Sequence, residues 1–100
     1  MATIQCTLGR ADKLIDKAKK IDSIDQKMIL YSRALQIYIA STESKQEDNI
    51  KQMNATKASE VYKIMGDVFL ETKDQKSAVN MYKKSEIYSN MAESLTEIVK

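Results

Sequence analysis

The chain contains no histidine, the side chain that proteins use most often as a general base and as a metal ligand. Its one cysteine, Cys6, rules out the usual zinc sites and any intramolecular disulfide, and it favours a reducing compartment. Its two glycines, Gly9 and Gly66, stand alone, so the chain has neither a phosphate-binding loop nor a dinucleotide-binding fingerprint. We therefore predict a protein that is not an enzyme and that needs no cofactor and no metal.

Proline is also absent, and a chain so poor in turn-forming residues is a poor candidate for a β-sandwich, which needs many tight turns. Residues that tolerate helices well dominate instead, among them lysine, glutamate, glutamine, alanine, methionine, leucine and isoleucine. The length of 100 residues suits one domain with a modest core. We predict a single all-α domain over residues 1–100.

The charges are nearly balanced, with 16 basic and 14 acidic side chains interspersed along the chain and a net charge of +2. No basic stripe is present, so a nucleic-acid partner is not expected. No apolar run approaches the roughly 18 residues that span a membrane, and the first residues do not resemble a signal peptide. A cytoplasmic protein without an integral membrane segment is therefore expected.

The most apolar stretch is 28–40, MILYSRALQIYIA, in which only Ser32, Arg33 and Gln36 are polar. Its apolar positions form two neighbouring helical stripes, so the helix would be apolar on nearly every side. A helix of that kind has to be covered by several others. The stretch is therefore predicted to form the centre of a helical bundle.

Four helical segments follow from the periodicity and from the residues that favour turns. They cover approximately 7–20, 24–43, 46–72 and 75–99. Short turns between them require antiparallel neighbours, so we predict two stacked helical hairpins, at about 7–43 and about 46–99. Met53, Met65, Met81 and Met91 are predicted to point inward.

The turns carry helix-capping signals. Residues 23–26 (SIDQ) and 44–47 (SKQE) both fit a capping box, in which a serine hydroxyl accepts from a free backbone N–H. Thr72 and Asp74 are two candidate caps for the last helix. These signals place the three turns near residues 21–23, 43–45 and 72–74.

Residues 59–92 resemble one tetratricopeptide repeat, a helix–turn–helix unit of 34 residues. The positions that carry the resemblance are Tyr62, Met65, Gly66, Phe69, Ala78 and Tyr82. Gly66 would lie in mid-helix, where a close crossing with the fourth helix near Ala78 justifies the cost of a glycine. The first hairpin is a weaker copy, and the long helices are similar to those of soluble vesicle-fusion attachment proteins.

This resemblance implies a non-catalytic adaptor or scaffold that binds a peptide or helix of a partner protein. The concave face of the third helix would then carry Glu60, Lys63, Asp67 and Leu70, and the partner would lie between the central and third helices. Repeats that bind a terminal carboxylate have an asparagine where Asp67 stands. An aspartate there repels a carboxylate, which argues against chaperone C-termini as ligands.

Two alternatives remain open. Residues 8–63 also resemble the microtubule-interacting and trafficking domain, a three-helix module that would bind helical tails of membrane-remodelling proteins. The support comes from 29–35 and Tyr38, which look like that module's second helix, with Glu60 available for an acidic motif. The other alternative is a structural subunit of a homo-oligomer, because two repeats are fewer than the roughly three that usually make a stable stack.

Overall fold

The computed structural model describes residues 3–43 and 47–99, with side chains described for 9–43 and 47–95. These ranges contain four helices and no strand, which confirms the all-α prediction. The helices are α1 (Thr3–Lys19), α2 (Ile24–Glu43), α3 (Asp48–Glu71) and α4 (Gln75–Val99).

The first predicted cap is confirmed. The backbone N–H of Gln26 donates to Oγ of Ser23 over 3.4 Å, at the start of α2. The second capping box begins at residues 44–46, which lie outside the described residues. Helix α3 begins at Asp48, and Glu47 occupies its N-cap position without a side-chain cap.

The third turn joins α3 to α4 with a Schellman motif. The N–H of Asp74 donates to the carbonyl of Phe69 over 2.9 Å, and the N–H of Lys73 donates to that of Leu70 over 3.0 Å. Of the two candidate caps, Asp74 serves α4: its Oδ1 accepts from the N–H of Ser77 over 3.1 Å. The motif turns the chain back on itself within three residues.

Each helix packs against the next one along the chain, α1 on α2, α2 on α3 and α3 on α4. In the described part of the chain, the backbone of α1 makes no such contact with α3 or α4. The second hairpin is antiparallel. Ser59 on α3 is hydrogen-bonded to Ser85 on α4, and Gly66, which comes later on α3, lies against Tyr82, which comes earlier on α4. The molecule measures 40 × 27 × 16 Å.

The core lies around α2, as the apolar stretch predicted. Tyr31 and Tyr38 are each only 2% exposed, and small residues let the neighbouring helices approach α2 closely. The buried members of the main cluster are Ala11, Ile15, Ala18, Leu30, Tyr31, Ala34, Leu35, Tyr38, Ala58, Val61, Tyr62 and Met65.

Two inward predictions are wrong. Met53 is 48% exposed and Met91 is 37% exposed. On α3 the residue that faces inward is Asn54, which is fully buried and whose Nδ2 donates to Oγ of Ser41 over 2.8 Å. A polar residue therefore takes the place that hydrophobic periodicity assigned to its neighbour.

Candidate functional site

An open cavity of ≈ 190 Å³ lies between α1 and α3, and we call it the α1–α3 cleft. Its lining residues are Asp12, Ile15, Asp16, Lys19, Tyr38, Lys57, Glu60, Val61 and Ile64. The cleft exists because α1 and α3 both pack on α2 without backbone contact between them. Side chains alone span the gap.

The two walls of the cleft share one spacing. The lining residues of α1 are Asp12, Ile15, Asp16 and Lys19, and those of α3 are Lys57, Glu60, Val61 and Ile64. In both sets the later residues follow the first one by three, four and seven positions. This spacing places four side chains along one face of a helix. Each wall therefore combines charged and aliphatic side chains, and Tyr38 of α2 lies at the base between them.

One ion pair joins the walls across the base. Nζ of Lys57 donates to Oδ1 of Asp12 over 2.9 Å and to Oδ2 over 3.0 Å. The hydroxyl of Tyr38 donates to the same Oδ1, and the Lys57 ammonium lies 5.6 Å from the centre of the Tyr38 ring. Three helices thus meet in one hydrogen-bonded group at the base of the cleft.

The pKa values of this group reflect its surroundings. Burial raises the pKa of the Asp12 carboxyl, but the hydrogen bonds from Tyr38 and Lys57 and the charge of Lys57 outweigh it, so that pKa is lowered. The pKa of the Tyr38 hydroxyl is raised, first by burial and then by the bond to Asp12 and the charges of Asp12, Asp16 and Glu60. Carboxylates on both walls therefore contribute to the raised pKa of the Tyr38 hydroxyl.

The remaining charges at the rim are unpaired within the described residues. Asp16 and Glu60, on opposite walls, have no ion-pair partner there, and neither does Lys19. The cleft as a whole is lined by three carboxylates and two ammonium groups. The net charge of the cleft is therefore negative, opposite in sign to the net charge of +2 of the chain.

The structure separates the four residues that the repeat resemblance singled out. Glu60 lines the cleft, whereas Lys63, Asp67 and Leu70 do not. Asp67 accepts from the hydroxyl of Tyr82 over 2.5 Å and is therefore engaged by α4. Leu70 is 47% exposed near the α3–α4 turn.

Of the nine cleft residues, only Glu60 is among the predicted partner-binding residues. The other eight were missed: Asp12, Ile15, Asp16, Lys19, Tyr38, Lys57, Val61 and Ile64. The signal that could have found them is the matched spacing of charged and aliphatic residues on the first and third helices. That signal becomes informative only once those two helices are known to face each other.

Two other surfaces lie outside the α1–α3 cleft. A cavity of ≈ 220 Å³ at the α1–α2 turn is lined by Lys17, Ile21, Gln26, Ile29 and Leu30. With one charged group it offers less to orient a ligand than the α1–α3 cleft. The described side chains also include exposed apolar residues on α4, namely Val79, Ile87 and Met91.

Within residues 3–43 and 47–99, no group of histidine, cysteine, aspartate or glutamate side chains is placed to hold a metal ion. None of the described helices combines the length and the hydropathy that a membrane span requires. Comparisons with protein-family models, with curated proteins and with solved structures found no match to this chain.

Proposed function

We propose that the chain is a non-catalytic protein-interaction module of the cytoplasm, an adaptor or scaffold that binds a peptide or helix of a partner protein in the α1–α3 cleft. The observation that carries the proposal is the cleft itself, with two helical walls joined at the base by the Asp12–Lys57 ion pair. Its walls alternate aliphatic side chains, which supply binding energy, with charged ones, which supply orientation.

The size of the cleft favours a macromolecular ligand. Its ≈ 190 Å³ is less than the roughly 300–1,000 Å³ of small-molecule sites. It is also open to solvent along the walls rather than enclosed. A cleft of this kind suits one anchoring side chain of a larger partner whose remaining contacts spread over α1 and α3.

Site-specific photo-cross-linking tests the proposal. A benzophenone amino acid replaces Lys19 at the rim of the cleft or, as the matched control, Glu86 on the exposed surface of α4. In cell extract, the probe at Lys19 should capture a discrete partner that the probe at Glu86 does not. Adding Glu60→Arg to the Lys19 variant should abolish this capture while leaving the fold intact, because Glu60 is exposed.

Two results would overturn the proposal. One is capture at Glu86 with none at Lys19. The other is capture at Lys19 that is insensitive to Glu60→Arg.

A homo-oligomeric subunit is the second candidate, and the exposed Val79, Ile87 and Met91 on α4 favour it. In that case the α4 surface would be covered by another copy of the chain. Sedimentation at micromolar concentration distinguishes the two functions. An oligomer that Ile87→Lys converts to a monomer would support the subunit function, whereas a monomeric wild type would exclude it.

A further inference from the structure

We infer that the α1–α3 cleft is a receptor for a guanidinium group, so that the partner anchors itself with an arginine side chain. This inference rests on the proposed function, and it specifies the chemistry of the ligand. It follows from the charges at the rim, from the aliphatic walls and from the way the cleft already holds a cation of its own.

The charges at the rim are the first argument. Asp12 and Lys57 neutralise each other at the base, which leaves the carboxylates of Asp16 and Glu60 against the single ammonium of Lys19. The two carboxylates come from opposite walls, so a group between them faces an acceptor on each side. A cation is therefore the ligand charge that the cleft complements.

The walls between these charges are the second argument. Ile15 on α1 and Val61 and Ile64 on α3 line the cavity, and they are less exposed than Asp16 and Glu60. Such walls suit the aliphatic stem of a long cationic side chain, which packs on apolar surface while its charged head stays near the rim. An acidic side chain has too short a stem for this arrangement and would face the carboxylates of both walls.

The third argument is the cation that the cleft already contains. The ammonium of Lys57 is held by both carboxylate oxygens of Asp12 and lies over the Tyr38 ring. Burial is the largest cause of the raised pKa of the Tyr38 hydroxyl, and the charges of Asp12, Asp16 and Glu60 add to it, so carboxylates of both walls act on this group.

A guanidinium fits the rim better than a second ammonium. Its planar fork carries five donors and can bond two carboxylates at once, whereas an ammonium acts as a compact point charge. A guanidinium is also less strongly hydrated, so it loses less on entering a half-open cleft.

The test uses small probes on the 100-residue chain. Isotope-labelled protein is titrated with Nα-acetyl-arginine amide, and binding is followed by nuclear magnetic resonance at the Tyr38 ring and the Ile64 methyl groups. Three matched probes carry citrulline, lysine or glutamate in place of arginine. Citrulline keeps the shape of arginine and removes its charge.

The arginine probe should bind with saturable shifts and a dissociation constant of about 1 mM, and at least about tenfold more tightly than the citrulline probe. Asp16→Asn and Glu60→Gln should each weaken it about fivefold or more. Glu86→Gln, on the exposed surface of α4, should leave it unchanged.

Several outcomes would overturn the inference. They are no saturable shift at Tyr38, equal binding of the citrulline probe, lysine binding as tightly as arginine, and tighter binding of the glutamate probe. If the arginine probe fails while cross-linking at Lys19 still captures a partner that Glu60→Arg abolishes, the interaction function stands and only its assigned chemistry falls. If both fail, the cleft is not a binding site.

Discussion

The Tyr82 ring on α4 lies directly against Gly66 on α3: a Cβ added at Gly66 would come 2.7 Å from Cε1 of the ring and 2.9 Å from Cδ1. Gly66 was expected to meet the fourth helix near Ala78, and the structure confirms the helix but places Tyr82 nearest. The close approach explains why α3 contains a mid-helix glycine that propensity disfavours by about 1 kcal/mol.

The first prediction is that Gly66→Leu lowers the free energy of unfolding by about 2 kcal/mol or more, because the side chain cannot fit beneath Tyr82. A Tyr82→Ala background removes the ring to which all three of the nearest atoms belong. There Gly66→Ala should raise stability by up to about 1 kcal/mol, as helix propensity dictates. Urea unfolding of the wild type, Gly66→Leu, Tyr82→Ala and the double variant Tyr82→Ala with Gly66→Ala measures both effects. A stabilising Gly66→Leu in the presence of Tyr82 would contradict the packing.

The second prediction concerns Lys73, whose φ of 63° places it in the left-handed region at the Schellman motif. A side chain at this position is strained, and glycine is the usual residue there. Lys73→Gly should therefore raise the free energy of unfolding by about 0.5–1 kcal/mol. Lys76→Gly, inside α4, is the control and should destabilise the chain. A loss of stability in Lys73→Gly would contradict the assignment.

Much of this fold can be predicted from the sequence. Stretch 28–40 predicted a central helix, because a segment that is apolar on most sides must be covered by several neighbours. Ser23 and Asp74 marked helix starts, because a short polar side chain can accept from the free N–H groups of a first turn. The left-handed conformation of Lys73 in that turn carried no sign in the sequence, since no glycine stands there.

The cleft was harder to predict from the sequence, for a physical reason. Periodicity identifies the inward face of each helix, but it does not say which two helices face each other across a third. The opposition of Asp12 and Lys57 depends on how α1 and α3 pack on α2. Asn54 shows a related limit of hydrophobic periodicity. The pattern favoured Met53 as the inward residue, because it cannot identify a buried polar residue.

The third prediction concerns this buried amide. Nδ2 of Asn54 donates to Oγ of Ser41, while its Oδ1 is buried and has no partner among the described residues. Ser41→Ala removes the acceptor of the buried N–H and should cost about 1–3 kcal/mol. Combining it with Asn54→Leu removes both polar groups, so the double variant should be more stable than Ser41→Ala alone. Additive losses in urea unfolding would contradict this coupling.

The fourth prediction is a loss of stability at alkaline pH. The pKa of each of the five tyrosines is raised, that of Tyr38 first by burial and then by the bond to Asp12. Above pH about 10 the unfolded chain releases protons that the folded chain retains, so stability is full below that pH and falls above it.

Tyr38→Phe should reduce the slope of the free energy of unfolding against pH in this alkaline range, because up to one proton fewer is released on unfolding. It should also cost some stability at neutral pH, because the hydrogen bond to Asp12 is lost. Urea unfolding at a series of pH values between about 8 and about 11 measures the slope. An unchanged slope in Tyr38→Phe would show that this hydroxyl does not titrate late.

The fifth prediction separates the surface inferred from the repeat resemblance from the α1–α3 cleft. Both include Glu60, but Lys63 lies one turn away, exposed and outside the cleft. If the partner binds in the cleft, Lys63→Glu should leave capture at Lys19 and the melting temperature unchanged, since isolated surface charges contribute little to stability. Glu60→Arg, a charge change of the same size on the same helix, should abolish capture.

Asp67→Lys completes the comparison. Because Asp67 accepts from the Tyr82 hydroxyl, its reversal should lower the melting temperature while leaving partner capture intact. Loss of capture in Lys63→Glu and Asp67→Lys, with Glu60→Arg still active, would place the partner on the exposed face of α3 toward α4. The arginine receptor would then be excluded, because the carboxylates of Asp16 and Glu60 would have no part in binding.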